Sequence, residues 1–233
     1  MGNVIGVTGE SGAGKTTSLR NFDPEEVGIF NVSGKPLSFK KKMPVCKTSD
    51  MKLIASEIRK NNRDIYIIDD AGLLMTFFLF DKVNETGYGK FTEVAKQFYD
   101  LVQTAIRETS DDTNVYFLMH TERSEDGARI KMKTAGRMID NQLTLESLFS
   151  TVLYCVTDGR KHSFITQSDG VTTAKSPMDM FPLEIDNDLK MVDDTIREYY
   201  GMKPARKVKP EQKKQEKPAS KAIVIDTDKL PFE

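Results

Sequence analysis

The stretch GVTGESGAGKTTSLR, residues 6–20, decides the fold because a phosphate-binding pattern stands there in its full local context. Gly9 is followed by four residues and then by Gly14, Lys15 and Thr16, which is the P-loop, or Walker A, spacing. The preceding run NVIGVT is apolar and rich in β-branched residues and predicts a buried strand, whereas TTSLRNF predicts the start of a helix. Strand, glycine-rich loop and helix in this order predict a nucleotide-binding site.

The loop offers a phosphate group several kinds of donor. Its free backbone amides and the positive end of the helix dipole favour an anion. Lys15 adds a point charge near the β and γ phosphates, and the Thr16 hydroxyl is placed to ligate Mg²⁺. We therefore predict that ATP contacts the whole loop, which consists of Gly9, Glu10, Ser11, Gly12, Ala13, Gly14, Lys15, Thr16 and Thr17.

The segment DIYIIDD, residues 64–70, predicts a buried strand that ends in two carboxylates. Asp69 is the expected Walker B partner of the loop and reaches the Mg²⁺ shell, often through water, so the predicted metal ligands are Thr16 and Asp69. Asp70 stands where many P-loop ATPases keep the acid that orients or deprotonates the attacking water. Glu10 competes for this catalytic role, and the sequence leaves both residues open.

Predicted strands and helices alternate along the rest of the chain. VGIFNV and NVYFLMH predict strands, and DMKLIASEIRKNN and residues 91–109 predict helices. This order predicts an α/β fold with a mainly parallel central sheet and helices on both faces. STVLYCVT and KHSFITQ predict a hairpin, and NDLKMVDDTIREYY predicts a last helix that ends at Gly201.

Residues 121–137, TERSEDGARIKMKTAGR, are predicted to form one long polar loop. A loop of this length is uncommon in a compact domain and favours a function. Its basic residues are Arg123, Arg129, Lys131, Lys133 and Arg137.

The composition changes near residue 202 and predicts three segments: a body of residues 1–201, a flexible basic linker of residues 202–222 and a tip of residues 223–233. The linker is rich in Lys and Pro, has almost no bulky apolar residue and cannot build a core. The chain has 34 Lys and Arg against 35 Asp and Glu, and because the linker is basic the body is mildly acidic. This charge balance excludes a body that is basic over its whole surface, so any contact with nucleic acid is expected from a local loop or from the linker.

Cys46 and Cys155 are too few and too isolated for a disulfide framework or a CxxC metal site, and two histidines cannot form a zinc centre alone. No apolar run is long enough to span a bilayer, and the chain enters its first predicted strand at once, so we expect neither a membrane span nor a signal peptide. These features predict a cytoplasmic protein, in the host cell's cytoplasm if a phage encodes it.

The order of the parts resembles the RecA-like P-loop ATPase core. It is most similar to the compact phage nucleotide-binding proteins of that class, which include the Sak-type single-strand annealing ATPases. The resemblance covers residues 3–200, and its matching segments are GESGAGKTT, IYIIDD, NETGYGK before a long helix, FLMH, the basic loop and NQLTLESLFSTVLYCV. It implies an ATPase of phage-type DNA recombination or repair that acts on single-stranded DNA and assembles side by side as a homo-oligomer or filament.

The resemblance also implies roles for particular residues. The loops NETGYGK and TERSEDGARIKMKTAGR would face single-stranded DNA, His120 would sense the γ-phosphate, and Lys175 would act on the site of a neighbouring subunit. The chain departs from the pattern at GIFNVSGK, which offers Asn31 and Ser33 where RecA-like proteins have a catalytic glutamate. The amino-terminal domain of bacterial recombinases is missing as well, so strand exchange by this chain alone is not expected.

The end of the chain, AIVIDTDKLPFE, resembles the acidic Pro-Phe tip with which bacterial single-stranded-DNA-binding proteins recruit partners, except for Lys229 and Glu233. Three interpretations stay open: the tip recruits a replication or recombination protein, packs back on the body as an edge strand, or does neither.

Two other functions of the whole chain are also open. One is a nucleotide-gated adaptor or helicase loader recruited through the tip, and the other is a small-molecule kinase whose lid is the basic loop.

Overall fold

The computed structural model describes residues 1–135 and 144–208. Arg137, most of the predicted linker and the whole tip lie outside these ranges. The strands are β1 (Asn3–Gly9), β2 (Val27–Asn31), β3 (Val45–Lys47), β4 (Ile65–Asp69), β5 (Asn114–Arg123), β6 (Ile130–Met132), β7 (Thr151–Thr157), β8 (His162–Ile165) and β9 (Glu184–Asp186). The α-helices are α1 (Met51–Arg59), α2 (Gly72–Asp81), α3 (Gly89–Arg107) and α4 (Leu189–Tyr200), and two short 3₁₀-helices cover Thr16–Asn21 and Leu145–Leu148.

The central sheet has the order β3-β2-β4-β5-β1-β7-β8-β9. Strands β3 to β7 in this order pair in parallel, and β8 and β9 extend the sheet in antiparallel fashion. Helices α1, α2 and α3 cover one face, and α4 with the first 3₁₀-helix covers the other. The predicted α/β fold with a mainly parallel sheet covered on both faces is confirmed.

The register of the parallel strands brings the motifs to one edge of the sheet. Gly9 at the end of β1 lies opposite His120 of β5, and Asp69 at the end of β4 lies opposite Asn31 of β2. Ligands of open α/β sheets bind at the carboxyl ends of the strands. The P-loop and the acidic motif therefore meet at the edge where such a site is expected.

The segment predicted as one long loop, residues 121–137, begins as a β-hairpin, so the prediction of an unbroken loop was wrong. Thr121–Arg123 prolong β5 and pair antiparallel with β6. Glu122 lies opposite Lys131, with 3.3 Å between the carboxylate oxygen and Nζ. Most side chains of the turn are polar and exposed, so the strands lack the hydrophobic alternation by which a strand is recognised in a sequence.

The helix predicted after the P-loop is a 3₁₀-helix of six residues. It ends at Asn21 and is followed by the C-cap residue Phe22, whose backbone is extended and whose ring is buried in the core. Pro24 follows two residues later, and a proline pushes the residue before it out of the helical region. Within the described ranges, no helix combines the length and the apolar character that crossing a bilayer requires.

Candidate active site

Two glycines of the P-loop have backbone conformations that other residues rarely adopt. Gly12 has a φ of +82° and Gly14 a φ of +104°. A Cβ atom on Gly14 would lie 2.9 Å from Nδ1 of His162, so this position also needs the space that glycine leaves. The loop thus exposes its backbone to the cleft.

The Lys15 side chain is buried and lies along the inside of the loop. Its ammonium donates to the carbonyl oxygens of Gly9 at 2.8 Å and Glu10 at 2.9 Å and lies 3.4 Å from Nδ1 of His120. Burial lowers the pKa of Lys15, and the charge of Asp70 opposes this shift. The ammonium is therefore held where phosphate oxygens can replace the loop carbonyls as its acceptors.

Thr16 and Asp69 form the predicted metal pair. The Thr16 hydroxyl donates to Oδ1 of Asp69 at 2.9 Å. Asp69 is only 4% exposed, and its burial, together with the charge of Asp70, raises its pKa to about 6.

This donor set fits Mg²⁺, because a hydroxyl and a carboxylate are hard oxygen ligands. The described residues contain no group of three or more His, Cys, Asp or Glu that could hold a metal by themselves. Mg²⁺ usually takes one or two protein carboxylates and completes its shell with water and substrate phosphates, so the pair suits an ion that arrives with a nucleotide.

Asp70 and His120 form a second pair beside the first. The backbone of Asp70, the residue after β4, has a φ of +63°. This left-handed conformation is uncommon outside glycine and clusters at functional sites. Its Oδ1 lies 3.4 Å from Nε2 of His120. An ammonium can only donate, so Nδ1 of His120 accepts from Lys15 and Nε2 carries the proton that faces Asp70.

The contact with His120 lowers the pKa of Asp70, and a hydrogen bond with Ser33 acts in the same direction against the effect of burial. Asp70 is therefore an anion at neutral pH. Glu10 is exposed, and its backbone oxygen is the atom that contacts Lys15. Of the two candidates for the catalytic acid, Asp70 is the one joined to Lys15 through His120.

The position of the missing RecA-type glutamate is filled by a structural amide. Asn31 accepts from the backbone nitrogen of Gly34 at 2.8 Å and donates to the carbonyl oxygen of Lys35 at 2.7 Å. Both of its polar ends are thus engaged in the turn after β2. This turn brings Lys35 to the nucleotide cleft.

The cleft has a volume of about 230 Å³. Its walls are Ser11, Gly12, Gly14, Lys15, Thr16, Thr17, Lys35, Ser38, Asp70, His120 and His162. Sequence reasoning missed Lys35, Ser38 and His162, because no local pattern marks them and His162 lies far from the loop in sequence.

His162 and Cys155 hold the P-loop from the β7–β8 hairpin. Nδ1 of His162 and Sγ of Cys155 both lie 2.8 Å from the carbonyl oxygen of Ala13. Asn187 donates to Sγ of Cys155 at 3.1 Å. The hairpin was predicted, but its contact with the loop depends on the parallel pairing of β1 with β7, which the sequence does not reveal.

The other residues singled out in the sequence lie outside the cleft. Arg123, Arg129 and Lys133 are exposed on or next to the β5–β6 hairpin, and Lys131 contacts Glu122. Lys175 forms an isolated backbone bridge with Val152 of β7. Its action on a neighbouring subunit stays a prediction.

The two cysteines should differ sharply in reactivity. Burial raises the pKa of Cys155 to about 12, whereas Cys46 is exposed on the edge strand β3. The thiolate is the reactive form, so burial both shields Cys155 and keeps it protonated at pH 8. We expect iodoacetamide to modify Cys46 in the native protein and Cys155 only after unfolding, as read by intact-mass spectrometry. Equal modification of both in the native state would contradict this packing.

A glycine-rich loop with a buried lysine, a Thr–Asp pair suited to Mg²⁺ and an adjacent ionised carboxylate define a P-loop nucleotide-binding protein of the ATPase class. Residues 1–178 match the family model described as AAA domain. The chain belongs to this family and contains a P-loop ATPase domain of the AAA type.

Among solved structures, the chain is similar to a prototypical ATPase from the type III secretion system of pathogenic bacteria. The two share 14% sequence identity at a TM-score of 0.42, and the similarity covers 66% of this chain and 51% of that one. The chain thus spans about half the length of that protein. Among the curated proteins, none matches it.

Proposed function

We propose that this chain is a magnesium-dependent ATPase of phage-type DNA recombination or repair that acts on single-stranded DNA. One observation carries the proposal. His120, which contacts Lys15 and Asp70, belongs to the same strand that continues into the basic hairpin. The backbone of Lys133 also donates to the carbonyl of His120 at 2.8 Å, so both strands of the hairpin are joined at the histidine.

The side chains of the cleft have separate roles in the hydrolysis of ATP. Lys15 and the loop amides bind the phosphates, and Thr16 and Asp69 would hold Mg²⁺, which when bound neutralises charge on the phosphate oxygens. Asp70, kept ionised by His120, orients the attacking water and accepts its proton. His120 contacts both the phosphate-binding lysine and this carboxylate, so loss of the γ-phosphate changes its surroundings directly.

The hairpin region presents a group of exposed basic side chains on the mildly acidic body. Arg123, Arg129 and Lys133 are exposed on or beside it. At about 3.3 Å per residue along a strand, Arg123 lies about 10 Å beyond His120. This distance is short enough for DNA on the hairpin to influence the position of the imidazole.

The triple change R123A/R129A/K133A should weaken binding of single-stranded DNA in a salt-dependent way. Three lost phosphate contacts make the negative slope of log K against log salt shallower by about 2, since each contributes about −0.7 on a single strand. Fluorescence anisotropy of a labelled oligothymidine between 50 and 200 mM salt measures the slope. Turnover of ATP without DNA should stay as in the wild type.

A matched control is K52A/K60A/K96A, which removes three exposed lysines in or next to helices α1 and α3. We expect this variant to keep the wild-type slope. Unchanged DNA binding by the hairpin variant, or no stimulation of the wild-type ATPase by DNA, would contradict the proposed function.

The same assays separate the two alternatives. A nucleotide-gated adaptor or helicase loader would turn over little ATP. It would bind a partner tightly in a nucleotide-dependent way, and deletion of residues 223–233 would abolish this binding. A small-molecule kinase needs an arginine-bearing lid and an acceptor site, and within the described ranges no arginine lines the cleft. Transfer of labelled phosphate to a nucleoside or nucleotide rather than to water would favour the kinase.

A further inference from the structure

The last described residues cross the amino-terminal edge of the sheet one strand at a time. The backbone nitrogen of Lys203 donates to Asp112, two residues before β5, at 2.9 Å. Arg206 binds the carboxylate of Asp64, next to β4, at 2.6 Å. Val208 donates to the carbonyl of Glu25, two residues before β2, at 2.8 Å. These contacts follow the order β5, β4, β2 in the sheet, so the chain is directed towards the edge strand β3.

The contact between Arg206 and Asp64 fixes the path of this segment across the sheet. The Asp64 side chain is only 5% exposed, and Arg206 reaches it through both Nε and Nη2. A buried carboxylate is costly without a partner, and a two-pronged arginine contact is the geometry that satisfies it best. Lys207 adds an ion pair with Asp23 beside β2.

A groove of about 610 Å³ opens beyond β2. The buried rings of Phe30 and Tyr66 lie nearly parallel on its inner side, with centroids 6.3 Å apart. Among the residues that the structure describes, strand β3 pairs only with Ile29–Asn31 of β2. Within the described ranges, the outer edge of β3 and the first two residues of β2 on that side therefore lack a partner strand.

We propose that residues 222–226 of the same chain, AIVID, dock in this groove as an additional strand along β3. Ile223, Val224 and Ile225 are β-branched and suit a strand that is half-buried at a sheet edge. Lys47 and Arg63 line the groove and complement Asp226, while Glu57 is the one acidic residue of the lining.

The length of the intervening chain favours this occupant over a separate molecule. Residues 209–221 connect Val208 to the segment, and these residues reach up to about 45 Å when fully extended, which is enough to bring the segment to the groove. This connection starts at Glu25, whose carbonyl also accepts from Arg63 of the groove at 2.9 Å. A short tether that starts beside its site gives an effective concentration in the millimolar range. No nucleotide or DNA takes part, so this docking is independent of the proposed function.

Cys46 lines the groove and reports on its occupancy. We compare the rate of maleimide modification of Cys46 in the full chain with that in the variant I223D/V224D/I225D, whose body is unchanged. A docked segment shields the thiol, so we expect the wild type to react at least about five-fold more slowly at millimolar effective concentration. Equal rates overturn the proposal. Cys155 does not interfere, because its side chain is buried in the core and only 1% exposed.

Disulfide formation with Cys46 tests the same contact by position. The variants Val224→Cys and Ile225→Cys place a thiol on opposite sides of the docked strand, and Lys213→Cys places one on the linker, closer to the body along the chain. We expect one of the two strand positions to cross-link at least about five-fold faster than the other and than position 213, because neighbouring strand residues face opposite ways. Equal cross-linking at all three positions, or fastest cross-linking at 213, overturns the proposal. A cross-linked dimer that increases with protein concentration also overturns it, because the segment then docks on a second copy.

Discussion

Replacing Lys15 with methionine should lower ATP turnover by about 10²–10³-fold, the usual loss when one preorganised donor to the developing charge is removed. The change deletes the only ammonium held inside the loop by the carbonyls of Gly9 and Glu10 among the described residues. It also removes the contact of His120 with the phosphate-binding group. Nucleotide affinity should fall as well, because the lysine contacts the phosphates in the bound ground state. Steady-state kinetics and calorimetric titration with magnesium nucleotide measure the two effects.

Lys35 provides a matched control, since it lines the same cleft but is exposed at its rim. We expect Lys35→Met to change turnover by no more than a few-fold, because an exposed charge in water contributes little. Methionine keeps the length and apolar stem of lysine, so thermal unfolding should show that both variants fold. Wild-type turnover in Lys15→Met, or an equal loss in both variants, would contradict the assignment of the phosphate site.

The parts of the site that could be predicted from the sequence are those joined by short-range pattern and by the rules of parallel sheets. Gly9, Lys15 and Thr16 stand in one motif, and Asp69 ends an apolar run. Because the carboxyl ends of parallel strands lie at one edge, these two motifs had to meet, and the Thr16 hydroxyl lies 2.9 Å from Asp69. His120 followed from the resemblance to RecA-like proteins, and the structure places it between Lys15 and Asp70.

The features that escaped prediction depend on contacts between distant segments or on polar strands. His162 reaches Ala13 because β7 lies beside β1, and nothing in the sequence around either residue specifies this neighbourhood. The β6 strand is short, and its side chains alternate weakly, so it was predicted as loop. The route of Lys203 to Val208 across the sheet depends on the buried carboxylate of Asp64, and a basic segment rich in proline shows no such anchor by composition.

Replacing Asp70 with asparagine should lower kcat by about 10²–10⁴-fold, which is the usual contribution of a positioned general base. Asparagine is the informative choice because it tolerates the left-handed backbone that Asp70 adopts at a φ of +63°. Its amide oxygen can still accept the proton on Nε2 of His120, so the geometry of the pair is kept. What is lost is the negative charge that accepts a proton from water.

Nucleotide affinity should therefore change far less than turnover in Asp70→Asn, and single-turnover kinetics together with calorimetry separate the two quantities. Glu10→Gln is the matched control, because it removes the competing carboxylate from the exposed rim of the same loop. We expect this variant to keep kcat within a few-fold of the wild type, since the Glu10 side chain is exposed and its backbone oxygen makes the contact with Lys15. If Glu10→Gln abolished turnover while Asp70→Asn retained it, the catalytic acid would be Glu10, and the contact of His120 with Asp70 would serve only to position the histidine.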